Sequence, residues 1–219
     1  SNLSEEYAEL SDKLFLYTPR GFNPALFDGI PKPLHPHIII EEGVNAQNDE
    51  FAMFKKVLPI VKNVFPETKV IGARINDEKI IDRNLPLLPA KRFYSEFLAQ
   101  GWVYFMPDVN NTMQGKNLVI QQDGSKKYLG LYENQIIEVQ MGGGLVVGES
   151  NALPKELIAS NNIGHRYHED ASPNSIADFI IDGFKNFDSR SVEAKNWALS
   201  HHNIQSMVRP VFDLAKQII

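Results

Sequence analysis

Short β-branched runs alternate along this chain with longer stretches whose apolar residues return every three or four positions. HIIIE (37–41) is an apolar run of the kind found in strands buried on both faces. Phe51, Phe54, Val57, Leu58 and Val61 then fall at helical spacing. They predict a helix from about Asp49 to Val64, with cap candidates from Asn45 to Asn48 and a stop at Pro66. KVIGA (69–73) and KIID (79–82) predict strands, Phe93 to Leu98 a short helix, and WVYFM (102–106) a strand ended by Pro107. NLVIQQ and KKYLGL flank Asp123-Gly124, a turn pair suited to a two-residue hairpin. A helix at about 134–141, the strand LVVG (145–148), a helix after Pro154 and two helices starting near Pro173 and Ser191 complete the pattern. Upstream lie an amphipathic segment (Leu3 to Leu10), a strand (Leu14 to Tyr17), and a stretch (18–36) that holds five of the 13 prolines and reads as an arm.

Strands alternating with amphipathic helices predict an α/β fold, a Rossmann-like doubly wound parallel sheet, here with an inserted β-hairpin. The expected organisation is an arm over 1–36 and one sheet domain with C-terminal helices over 37–219. Such sheets bind ligands beyond the carboxyl ends of their strands. The loops that matter are then 42–49, 74–77, 83–91, 107–133 and 148–153.

Composition narrows the classes. The 219 residues are 43% hydrophobic and 22% charged, which excludes a disordered chain. A net charge of -5 argues against a binder of nucleic-acid phosphates. Cysteine is absent, which removes disulfides, thiolate metal sites and a cysteine nucleophile. No apolar run approaches the roughly 20 residues that span a bilayer, and no signal-peptide core opens the chain. A soluble, cytoplasmic protein is the expectation.

Gly142-Gly143-Gly144 follows a predicted helix and precedes a strand, the reverse of the order in a dinucleotide phosphate loop, and reads as a helix C-cap. His165, His168, Glu169 and Asp170 crowd together in an expected loop, at a spacing that fits no zinc pattern. Asp-x-Asp, the pair expected of manganese-dependent sugar transferases, is missing. The most informative stretch is 132–158. Asn134 can cap its helix, placing Glu138 one turn in and on the same face. A carboxylate there suits a vicinal diol, while first-turn amides and the helix dipole favour phosphates. Stabilisation of the helix dipole by an early glutamate is the competing reading.

Residues 132–158 also resemble the donor-site segment of GT-B glycosyltransferases, particularly the family 4-like group. Glu138-Val139 stands where that segment opens with E-A, Gly143 matches its glycine, and Val146-Val147 its V-V pair. Pro154 and Glu156-Leu157-Ile158 are similar to the later P-E-h-h, with Lys155 inserted. Residues 17–33 resemble the linker into the family's second domain, 88–107 the helix before the strand that ends in Pro-Ser, and 163–180 the D-P-containing tail. There are departures. Gly130 stands where the family has an earlier glutamate, with Glu133 a nearby acid out of register. The stretch 41–50 lacks the Arg and Lys that grip the diphosphate.

The resemblance implies one half of a GT-B fold, the nucleotide-sugar-binding domain, with 1–36 arriving from an N-terminal acceptor domain missing from these residues. It implies a hexosyltransferase-type glycosyltransferase, of the kind used in polysaccharide biosynthesis, inactive as this isolated domain. The nucleotide-sugar donor would meet Glu138, Asn134, Glu133, Gly130 and Gly43, with Arg74, Lys91 or Arg92 supplying charge and Leu87 and Leu88 meeting the base. No cofactor or metal is expected, no nucleic acid, and no transmembrane segment, with peripheral membrane contact left to the missing half. The alternatives are a non-catalytic module kept for partner binding and a nucleotide-sugar epimerase half.

Overall fold

The computed structural model describes residues 22–41, 51–73, 75, 79–86, 88–106, 118–120, 126–128, 133–150, 153, 155–158, 160–204, 208–209, 212–213 and 216. Its strands are β1 (His37–Glu41), β2 (Lys69–Ala73), β3 (Arg83–Leu85), β4 (Val103–Phe105), β5 (Leu118–Ile120), β6 (Lys126–Tyr128), β7 (Leu145–Glu149) and β8 (Gly164–Tyr167). Its helices are α1 (Ala52–Val64), α2 (Ala90–Glu96), α3 (Glu133–Met141), α4 (Pro173–Lys185) and α5 (Phe187–His202). Six strands form one sheet in the order β3-β2-β1-β4-β7-β8, and every pairing in it is parallel. The inserted β5 and β6 pair antiparallel with each other, apart from that sheet; the turn pair Asp123-Gly124 lies outside the described residues.

The sheet is covered on both sides, which is why β1 is apolar without alternation: Ile38, Ile39 and Ile40 are all fully buried. Burial of each is worth about 1.5–3 kcal/mol. On one face Ile38, Ile40, Val103, Phe105 and Val147 meet Phe54, Val57 and Val61 of α1 and Ile176, Ile180 and Phe184 of α4. On the other, Ile39, Tyr104 and Val146 meet Leu98, Ile136, Val139 and Ala198. The arm closes this second face. Phe27 is buried there, Lys32 Nζ donates to the Gly101 carbonyl at 2.6 Å, and Trp102 Nε1 donates to the Pro33 carbonyl at 3.2 Å. Among the described residues no helix is long and apolar enough to cross a membrane.

The Gly-Gly-Gly run is a helix stop, as its position predicts. The Gly144 amide donates to the Val139 carbonyl and the Gly143 amide to the Gln140 carbonyl, both at 2.8 Å. Gly143 sits at φ 77°. This is a Schellman ending, and its left-handed residue favours glycine.

Six expectations are corrected. The strand expected at 79–82 forms at 83–85, because Asp82 bonds Val70 through its own amide and its carboxylate while Ile80 turns into the core. The helix expected from Phe93 begins at Ala90, directly after Pro89, and the one expected near Ser191 begins at Phe187, whose ring stacks on Trp102 at 4.0 Å. After Pro154 there is a single 3-10 turn, Lys155–Leu157, followed by β8 where a loop was read. GHRY carries no apolar alternation, and its strand exists because β7 offers it an edge. Finally, α3 already includes Glu133, so Asn134 lies within the first turn rather than at the cap. The expected cap residues 45–48 and the elements before residue 22 lie outside the described residues.

Candidate functional site

Apart from the hairpin, the chain builds its sheet outward from β1 through β2 and β3, then returns to the other side of β1 with β4, β7 and β8. The winding reverses between β1 and β4, and the crevice of such a sheet opens beyond the carboxyl ends of those two strands. Glu41 closes β1 at that point and is 6% exposed. Two residues past Ile39, it faces the side of the sheet that α3 covers.

Because α3 runs from the crevice back to the start of β7, its first turns lie at the strand ends. Glu138, in its second turn, is 8% exposed. Tyr94, on α2, donates its hydroxyl to Glu138 Oε1 at 2.7 Å. The Tyr94 ring is in turn held edge-on by Phe27 of the arm, with centroids 5.6 Å apart and planes at 81°. Burial raises the Glu138 carboxyl above its ordinary range, the Tyr94 hydrogen bond pulls it back down, and the Glu41 charge raises it further. Burial, then the bond to Glu138, pushes the Tyr94 hydroxyl up to about 12, so it remains a donor through neutral pH. A third buried carboxylate, Glu149, ends β7.

The expected basic residues are placed differently. Arg92 is exposed and bonded to Glu96 at 2.6 Å and 3.1 Å, an i,i+4 pair along α2. Lys91 is exposed on the same helix, and Leu88 is half-buried against the second core face. Arg166, at the ends of β7 and β8, donates to the carbonyls of Leu153 and Ser150, both at 2.7 Å. It thereby holds the loop that leaves β7. Asn134 is exposed in the first turn of α3. Gly43, Arg74, Leu87 and Gly130, together with the side chain of Glu133, lie outside the described residues.

The histidine-rich stretch does not converge. His165 stacks on Phe179 of α4 at 4.8 Å, and burial lowers its pKa. His168 faces Asp170 at 3.4 Å on the exposed side of the following turn. Among the described residues no three His, Asp or Glu side chains are grouped to hold a metal ion.

Sequence reasoning reached Glu138 but missed Tyr94, Glu41 and Arg166. A charged residue ending an apolar strand at its carboxyl end was a signal for Glu41. Nothing local marks Tyr94, whose partner is 44 residues away.

An open parallel sheet wound in both directions from β1, with buried carboxylates beyond the reversal, places the chain in the Rossmann-like α/β class. Within that class its fold is one half of a GT-B glycosyltransferase. The pneumococcal O-GlcNAc transferase GtfA, solved with UDP and GlcNAc, superposes at TM-score 0.59 and 11% identity, over 98% of this chain and 42% of that one. WaaG, a glycosyltransferase of lipopolysaccharide biosynthesis, does so at 0.54 and 10%, over 91% of this chain and 56% of that one. The C-terminal domain of the group 1 glycosyl transferase LpcC from Francisella tularensis matches at 0.54 and 11%, over 86% of this chain and 97% of its own length. The chain thus spans about half the length of GtfA and WaaG and nearly the whole of the LpcC domain. No protein-family model and no curated protein matches the sequence.

Proposed function

We propose that this chain is the donor-binding half of a GT-B glycosyltransferase, holding a nucleotide-sugar across the carboxyl ends of β1 and β4. The observation that carries the reading is Glu138: a buried carboxylate at the reversal of the sheet, on a helix that begins in the crevice, already oriented by one hydrogen bond. A carboxylate offers about four acceptor positions. Tyr94 takes one, and the rest match the paired hydroxyls of a ribose. The first-turn amides of α3 favour the adjoining phosphates. The likeness to a transferase solved with UDP supports the same assignment.

Sugar transfer breaks the bond between the anomeric carbon and phosphate, so negative charge grows on the departing diphosphate. In this reading helix amides and side chains from neighbouring loops stabilise that charge, without a metal. On the same reading the acceptor and any acid or base belong to a facing domain, so the chain alone binds nucleotide and transfers no sugar. Polysaccharide assembly in the cytoplasm is the setting this reading suggests.

The test is a metal-free thermal-shift titration with UDP, GDP, dTDP, ADP and CMP on wild type and Glu138→Ala. A ligand at about 100 times its Kd stabilises the native state by about 2.7 kcal/mol. Stabilisation by one nucleoside diphosphate, lost in the variant, is the expected outcome. One observation favours a second reading, a degenerate module that binds a partner: the described strand-end carboxylates are buried, while Arg92 and Arg166 are committed elsewhere. Absence of any shift would favour that module.

A further inference from the structure

We propose that Tyr94 is a positioning residue for the donor ribose, setting the plane of the Glu138 carboxylate so that its remaining acceptor positions meet the 2′- and 3′-hydroxyls together. This inference rests on the donor-site reading of Glu138 and assigns a purpose to the hydrogen bond from Tyr94.

A glutamate carboxylate turns freely about its last torsion, where the energy is broad and roughly two-fold. A diol is bound by two hydrogen bonds at once only if the carboxylate plane is fixed. The Tyr94 hydroxyl supplies that constraint, donating to Oε1 at 2.7 Å. It is not a loose partner. Its ring stands edge-on against Phe27, which is itself 5% exposed, so the hydroxyl is held by packing and not by the hydrogen bond alone. The hydroxyl resists ionisation until about pH 12, which keeps it a donor to Glu138 at neutral pH. A bond between an ionised acceptor and a neutral donor is among the stronger protein hydrogen bonds.

Sequence separation makes the arrangement more specific. Glu138 comes from the helix that follows the hairpin, Tyr94 from the helix after β3, and Phe27 from the arm. Three separate segments meet to hold one carboxylate. A glutamate serving only the dipole of α3 belongs in its first turn, whereas Glu138 is buried in the second.

The experiment compares ribose with 2′-deoxyribose, a difference of one hydroxyl that a purely structural role for Tyr94 would not sense. Affinities of UDP, GDP and ADP and of their 2′-deoxy forms are measured on wild type, Tyr94→Phe and Phe27→Leu, with melting temperatures beside them. Wild type is expected to prefer the ribose form of its nucleotide by about tenfold or more, as for a hydrogen bond to a charged group. Tyr94→Phe keeps the ring and removes one oxygen. It is expected to melt a few degrees below wild type, since a buried carboxylate oxygen loses its donor, and to narrow the preference to about threefold or less, mainly by weakening the ribose form. Phe27→Leu keeps the hydroxyl on a looser ring and is expected to fall between the two. If no nucleotide binds wild type, or ribose and deoxyribose forms bind it alike, the donor reading fails and this inference with it. If wild type discriminates and Tyr94→Phe discriminates equally well, the donor reading stands and the role given to Tyr94 is wrong.

Discussion

Lys32 gives the most quantitative test of the packing. The residue is half-buried, and its ammonium is enclosed between the start of β4 and α5. Nζ donates to the Gly101 carbonyl at 2.6 Å and lies 5.9 Å from the centre of the Phe187 ring. Burial, helped by the nearby charge of Lys195, pushes its pKa from 10.5 down to about 7. Between those two values the folded chain binds fewer protons than the unfolded one, so stability rises with pH across the window. Below it both states are protonated, and the full penalty of the buried charge applies. From about pH 7.5 to 9.5 the penalty falls by roughly 2.5 kcal/mol. Lys32→Met removes the titration and keeps a chain of similar reach. It also leaves the Gly101 carbonyl without its donor, at a cost of about 1–3 kcal/mol that does not depend on pH. Urea denaturation of both proteins across that range separates the two effects. The Met variant is expected to lose its relative advantage by about 2.5 kcal/mol, whatever the offset at the start. A difference constant within about 0.5 kcal/mol would refute the desolvation of this ammonium.

Gly143→Ala places an L residue at φ 77° and a Cβ against the Ser191 side chain. The backbone alone costs about 1–2 kcal/mol, so melting falls by at least about 2–4 °C, and Ser191→Ala in the same chain recovers the steric part while leaving the backbone part. Ser172→Ala removes the acceptor for the Ser175 amide at the start of α4, a bond of 3.2 Å, and is expected to cost about 1 kcal/mol in urea denaturation; an unchanged midpoint would show that the cap is idle. Glu138→Gln keeps an acceptor for Tyr94 and removes a charge that burial and Glu41 disfavour. A carboxyl raised in the folded state contributes stability that is complete below the ordinary carboxylate range and lost as pH rises through its own titration. The Gln variant should therefore gain on wild type as pH rises through and above the ordinary carboxylate range; a pH-independent difference would count against the raised pKa.

Fold class was legible because the signals behind it are local. Ile38 to Ile40 announce a doubly covered strand, Phe54 to Val61 an amphipathic helix, and the three glycines after Met141 a helix stop, each within a few residues of chain. The elements read wrongly are those whose form depends on a neighbour. β8 is a strand because β7 leaves it an open edge, and residues 79–82 turn because Asp82 finds Val70. The site divides in the same way. Glu138 could be singled out from its helix and the segment around it, and Glu41 from the end of its strand. The meeting of Glu138 with Tyr94, and of Tyr94 with Phe27, joins residues 44 and 67 positions apart in the chain. Sequence alone therefore determined the alternation of strands and helices, because periodicity records which side of each element is buried. Only the tertiary structure decided which side chains share the crevice, because those distances follow from the order of the strands and the packing of helices from separate segments.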